Sequence, residues 1–132
     1  MSSDCKRYSV DSEKITLCSQ LSHTKLDVFK VTKDFVLICY KETKPFPTEE
    51  KFGMISQIRR AALSVHLNVA EGCSRKSVAE RKRFYEIARG SIIEVDTALD
   101  VAVNLNYITK EHLQELGVLM IRSFQLLSKL IS

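Results

Sequence analysis

Two long helical patterns lie within residues 46–94, separated only by Gly72-Cys73-Ser74-Arg75-Lys76. A link that short leaves the second helix no course except back along the first, so the block specifies an antiparallel hairpin. The charge pattern marks the same place. Residues 73–90 hold six basic side chains (Arg75, Lys76, Arg81, Lys82, Arg83, Arg89) against Glu80 and Glu86, an excess equal to the net charge of +4 on the whole chain. The rest of the sequence therefore sums to zero, and the tip of the hairpin carries a positive potential that the overall figure understates.

On either side of this block the pattern extends to four helices. Val28, Val31, Phe35 and Ile38 recur at three- and four-residue steps and predict a first helix over 26–43. Residues 36–40 taken alone fit a buried strand equally well; the length of the pattern and the lack of Gly or Pro before Pro45 favour helix. Pro45-Phe46-Pro47 ends it, because proline lacks a backbone donor and restricts the residue before it. Thr48 is then expected to cap a second helix, with Glu49 and Glu50 in its first turn, running about 36 Å to Glu71 with Gly72 as its stop. Ser77-Val78-Ala79-Glu80 has the form of a capping box and opens the third helix. That helix carries Phe84, Ala88, Ile92, Val95, Leu99 and Ala102 on one side as far as Leu105, and Asn106-Tyr107-Ile108 turns the chain. Thr109 is expected to cap the fourth, whose stripe is Leu113, Leu116, Met120, Phe124, Leu127 and Ile131. The expectation is an all-α, antiparallel up-down-up-down four-helix bundle over 24–132, preceded by residues 1–23 as a flexible extension or docking arm.

A chain of 132 residues suits one domain, and folding at this size buries roughly two-thirds of the unfolded chain's surface without help from metal or disulfide. The four cysteines are widely and irregularly spaced, with no Cys-x-x-Cys pair and no leader of signal-peptide form, which predicts reduced thiols in a cytoplasmic protein. The longest apolar run, 35–40, falls far short of the ~20 residues of a membrane span, so no membrane is expected. The fourth helix holds a second apolar row of Leu119, Leu126 and Leu130 beside Val118 and Ile121, leaving a narrow polar strip of Arg122, Gln125 and Lys129. A helix of a monomeric bundle shows water a fuller polar face. The surplus predicts a homo-oligomer; the competing reading is that the N-terminal extension covers it.

Within the hairpin, an antiparallel pairing brings Arg59 and Arg60 near the level of Arg89 and Gly90 and predicts an interhelical ion pair from one of the two arginines to Glu94, with both arginines facing solvent as the equal alternative. Gly90 in mid-helix breaks a propensity rule worth ~1 kcal/mol and, nearly level with Ala61-Ala62, is read as a site of close helix packing. Glu71 in a last turn opposes the helix dipole and requires a basic partner such as Arg75 or Arg81; Asn68 and Glu71 are read as fixing the turn.

Four motifs resemble one family in order and spacing: Phe46-Pro47-Thr48-Glu49-Glu50, Ser56-Gln57-Ile58-Arg59-Arg60-Ala61, Asn68-Val69-Ala70-Glu71-Gly72, and Ile87-Ala88-Arg89-Gly90-Ser91 followed by Glu94. They resemble the four-helix bundle proteins encoded in intervening sequences of bacterial 23S ribosomal RNA genes, from Leu26-Asp27-Val28 to the C-terminus. The resemblance implies a bundle assembled as a ring, a homopentamer. It also implies kinship with the accessory variability protein of diversity-generating retroelements, which associates with a reverse transcriptase and with nucleic acid. By that analogy Arg59, Arg60, Arg75 and Arg89 are positions to suspect for RNA or DNA contact, although a shared scaffold says less about function than about fold. His66, Asn106 where a glycine is common, and the N-terminal arm depart from the family pattern.

Three functions follow in order of support. The first is nucleic-acid binding by Arg59, Arg60, Arg75, Lys76, Arg81, Lys82, Arg83, Tyr85 and Arg89, with Arg75, Lys82 and Arg89 sharing a side and Tyr85 interleaved between Arg81 and Arg89 to stack on an unpaired base. Its bland competitor is a merely solvated charged face. A protein-interaction module is the second. An enzyme ranks last: no glutamate stands three residues before His23, His66 or His112 as a di-iron site requires, Cys73 and His66 need not face each other, and there is no phosphate-cradling glycine loop or serine elbow. No cofactor or metal is expected.

Overall fold

The computed structural model describes residues 27–132, so the expected extension over 1–23 lies outside the described residues. Four α-helices follow one another: α1 Asp27–Thr43, α2 Met54–Ser74, α3 Val78–Asn104 and α4 Gln114–Ile131, with short 3-10 turns at Thr48–Glu50 and Glu111–Leu113 and no strand among the described residues. The doubtful 36–40 segment is helix because it lies on a helical stripe, with Phe35, Ile38 and Cys39 buried at three- and four-residue steps.

Each helix packs against its neighbours in sequence, and α1 also packs against α4, with the most extensive contact between α2 and α3. Side-chain pairs fix the directions. Thr32 meets His66 and Arg59 meets Thr43 between α1 and α2; Gln57 meets Glu94 and Ser64 meets Ser91 between α2 and α3. At each junction the partner's number falls as the residue number rises (Thr32 with His66 but Thr43 with Arg59; Gln57 with Glu94 but Ser64 with Ser91), so both junctions are antiparallel. The centre is filled by Phe35, Ile58, Val65, Val95, Leu116 and Leu127, all almost fully buried. Burial of such a core dominates the favourable free energy of folding.

The helix ends depart from the expected pattern in informative ways. Thr48 does not cap α2. It opens a 3-10 turn instead, and α2 starts at Met54, capped by Glu50: Oε1 of Glu50 accepts the Met54 N–H at 3.0 Å. Gly53 allows that approach, since a Cβ there would sit 2.8 Å from the same oxygen. At the other end Gly72 is not the stop. The helix continues to Ser74, whose hydroxyl donates to the Glu71 carbonyl at 2.8 Å. Gly72 is small for a different reason: a Cβ would lie 2.7 Å from Cε1 of Tyr85, so the glycine makes room for that ring of α3.

Gly90 does not serve close packing. An added Cβ would meet nothing within 4 Å, and the small-residue contact falls one position later, where buried Ser91 shares a 3.0 Å hydrogen bond with Ser64. Ser77 does cap α3, accepting the Glu80 N–H at 3.3 Å. At the end of α3, Asn106 takes the left-handed conformation (φ 64°), with Tyr107 N–H bonded to Ala102 O and Asn106 N–H to Val103 O. That is a Schellman end, with asparagine in the place glycine usually fills. Thr109 caps the 3-10 turn ahead of α4, its hydroxyl accepting the His112 N–H at 3.3 Å.

In α4, Leu116 and Leu127 are buried, while Val118 (66 % exposed) and Ile121 (59 %) remain open to solvent. Buried Ser123 Oγ has no hydrogen-bond partner among the described residues. No helix among the described residues is long and apolar enough to cross a membrane.

Candidate nucleic-acid interface

The last turn of α2, the link 75–77 and the first turns of α3 form the hairpin end. Its backbone is held by Arg81, whose Nη1 donates to the carbonyls of Arg75 and Lys76 at 2.9 Å each. Those carbonyls belong to the link just past α2, and the guanidinium satisfies both while its charge complements the C-terminal dipole of the helix. Glu71 finds the basic partner it needs in Arg75, at 2.6 Å. Both side chains of that pair are more than 40 % exposed, so the bond contributes at most ~1 kcal/mol. Arg75 also lies over the Phe84 ring, 5.0 Å from its centre.

Two further arginines, Arg59 and Arg89, are drawn into the bundle. Arg59 turns to α1: Nε donates to Thr43 Oγ1 at 2.9 Å, Nη2 donates to the Tyr40 carbonyl at 3.1 Å, and the guanidinium stacks over the Tyr40 ring at 4.8 Å. Arg89 reaches α4, donating to Ser128 Oγ at 3.1 Å beside the Phe124 ring. Arg60 stays exposed on α2. The ion pair expected between Arg59 or Arg60 and Glu94 does not form. α2 runs three residues further than expected and shifts the register, so Glu94 accepts from Gln57 at 3.3 Å. Asn68 acts locally, its amide donating to Ser64 O and Oγ.

Tyr85 requires the largest correction. It is 5 % exposed and faces α2, with its hydroxyl donating to Cys73 Sγ at 3.5 Å. Burial, reinforced by the Cys73 contact, pushes its pKa well above the ordinary tyrosine value. A ring so placed cannot stack on a base. The spacing held the signal: 85, 88, 92, 95, 99 and 102 alternate steps of three and four, the seam of a packed helix, and Phe84 is one residue off it. The intended side shared by Arg75, Lys82 and Arg89 is likewise absent, because Arg75 lies before the start of α3 and Arg89 is turned to α4.

At the tip Lys76, Lys82 and Arg83 are left. Lys76 and Arg83 are exposed and Lys82 partly so, and their side chains make no hydrogen bond or ion pair among the described residues. The considered Cys73–His66 pair is not assembled: His66 shares a 2.9 Å hydrogen bond with Thr32 and lies 4.4 Å from the Phe29 ring. Burial raises the pKa of Cys73, against the opposing pull of Tyr85 and Arg81, and pushes that of Cys39 up to about 12. Neither thiol is a ready thiolate. No group of three or more His, Cys, Asp or Glu side chains suited to a metal occurs among the described residues. One exposed aromatic was not anticipated: Phe52, 88 % exposed just ahead of α2, with the Lys51 ammonium 5.5 Å from its ring centre.

These features define a class, a small all-helical bundle with one cationic end. The chain belongs to the 23S rRNA-intervening sequence protein family, whose model matches residues 24–129. It is similar to a crystal structure of a protein of unknown function from the S23 ribosomal protein family of Bacteroides thetaiotaomicron VPI-5482, with TM-score 0.71 and 25% identity over 80% of this chain and 98% of that one. No curated protein matches it.

Proposed function

We propose that the protein is a non-enzymatic, oligomeric helical scaffold of the cytoplasm that contacts RNA or DNA through the hairpin end. The observation that carries this reading is the division of labour among the cations there. Arg81 and Arg75 hold the turn, and Lys76, Lys82 and Arg83 remain free at the exposed tip. Free cations on a rigid end neutralise phosphates and release counterions. Assembly into a ring, five copies by the family resemblance, multiplies a weak site into a strong one. Two separate grooves support assembly: a mixed one between α1 and α4, where Leu37 and Val118 lie among Asp34, Lys41 and Glu115, and an apolar one between α3 and α4 with Ile93 and Ile121. Two unlike faces suit a ring, in which one face of each copy meets the other face of the next.

The second reading is a protein-interaction module without nucleic-acid contact, for example an accessory to a reverse transcriptase, as the resemblance to the retroelement accessory protein implies. Exposed Phe52 and Val118 favour it. Fluorescence anisotropy with labelled RNA and DNA at several salt concentrations, combined with light scattering on the same sample, tests both. Binding that weakens steeply with salt is expected; absence of binding at low salt removes the first reading, and a monomer at micromolar concentration removes the ring.

A further inference from the structure

We propose that the ligand of the hairpin end is the phosphate backbone of a duplex, gripped without preference for base or for unpaired strand. This rests on the nucleic-acid reading above and gives it a substrate class. Selection of single strands depends on aromatic rings that stack on bases, each worth roughly 1–3 kcal/mol. The tip offers none. Tyr85 is buried with its hydroxyl on Cys73, and Phe84 is half-buried beneath the Arg75 guanidinium. Phe52 precedes the far end of α2, a helix length of about 30 Å away. The free donors are two ammonium groups and one guanidinium; the ammonium groups act as point charges, and Arg83 alone among the three carries a fork shaped for a base edge. With no stacking ring and at most one base contact, the counterion term dominates. A duplex carries a charge every ~1.7 Å and has the steeper salt slope, about −0.9 per contact against about −0.7 for a single strand.

Arg75 adds a fourth contact that is latched in the free protein. Its exposed bond to Glu71 is weak enough for a phosphate oxygen to replace, so Glu71 competes with the ligand.

The test is anisotropy on the full chain with short duplex RNA, duplex DNA and single strands of oligo-U and oligo-A. Duplexes of either sugar are expected to bind at least as tightly as single strands, oligo-U and oligo-A to agree within about twofold, and the salt slope on a duplex to be about −2.7 for three contacts per protomer. Lys82→Gln/Arg83→Gln flattens that slope by about 2, with folding checked by circular dichroism. Glu71→Gln tightens binding about twofold to threefold, and Glu115→Gln, the same charge change at the start of α4, does not. Single strands bound tenfold more tightly than duplexes, or an ordering by base, overturn the inference and leave the nucleic-acid reading standing. No binding to any of these probes, or a slope untouched by the double substitution, overturns both.

Discussion

The two ends of the bundle use charge in opposite ways. At the end where α1 passes to α2 and α3 to α4, polar side chains are tied into the fold. Glu50 accepts from Met54 N–H and from the Tyr107 hydroxyl at 2.9 Å, Phe46 packs 5.6 Å from the Tyr107 ring, and Arg59 binds the last turn of α1. At the hairpin end a three-residue link needs less fastening, and part of the charge is left over. Long links consume polar groups because every buried backbone donor and acceptor in them needs a partner, whereas a tight link closed by one arginine does not. Surplus charge is therefore informative where the backbone is already satisfied, and uninformative elsewhere.

That contrast breaks first at Arg59. If the guanidinium fastens α1 to α2 as its contacts indicate, Arg59→Met costs about 2 kcal/mol in chemical denaturation, since two charge-assisted hydrogen bonds and a stacked ring are lost. Nucleic-acid affinity should be unchanged by it. A stable variant with weakened binding would place the interface at the wrong end.

Gly72 tests the hairpin end itself. Gly72→Ala inserts a methyl 2.7 Å from the buried Tyr85 ring and 3.2 Å from Phe84 Cβ, and overpacking of this kind costs about 1–2 kcal/mol after the better helix propensity of alanine is counted. Gly72 does not take a positive φ, so no helix-stop strain adds to that cost. Urea denaturation measures it, and a neutral or stabilising change would show that the Tyr85 ring yields and the close approach does not require glycine.

Much of this architecture was legible in the residues. Ser77 with Glu80, the prolines at 45 and 47, and the three-and-four stepping of apolar positions mark where helices begin, end and face, because those signals act through the local backbone. The α2 start lies five residues beyond the expected one: Thr48 looks like a cap, but the cap is Glu50, reaching forward over Gly53 in a geometry that sequence spacing does not display. The site was less legible than the fold. Tyr85 against Phe84 was a choice between adjacent residues that the alternating seam could have decided. Arginine partners were not decidable at all, since a long side chain selects among carbonyls and rings whose positions only the packed register sets, as Arg81, Arg59 and Arg89 show.

The tied end also responds to pH. The Met54 N–H, and after it the Tyr107 hydroxyl, hold the Glu50 carboxyl below its usual 4.5, while the same contact with Glu50 raises the pKa of Tyr107. A depressed carboxyl stabilises the fold above its unfolded pKa and loses that contribution as pH falls through the folded value. The raised phenol does the reverse, its contribution being present below its ordinary value near 10 and lost as pH climbs through the folded one. Melting temperature measured from pH 3 to 6 should fall at the acid limb in the wild type, with a smaller fall in Tyr107→Phe and the smallest in Glu50→Gln. An unaltered acid limb in both variants would show that this end is not fastened by the Glu50–Tyr107 bond.

The smallest stability effect is expected where the functional one is largest. Lys76→Gln/Lys82→Gln/Arg83→Gln removes three cations that make no hydrogen bond or ion pair among the described residues, and exposed substitutions of that kind stay within about 0.5 kcal/mol each. Like charges crowded on one tip repel, so any change should be slightly stabilising. The same protein should lose most of its affinity for duplex nucleic acid. If the triple variant unfolds more readily instead, these side chains are fasteners like Arg59, the two ends are alike, and the cationic tip is structure with no charge left over for a ligand.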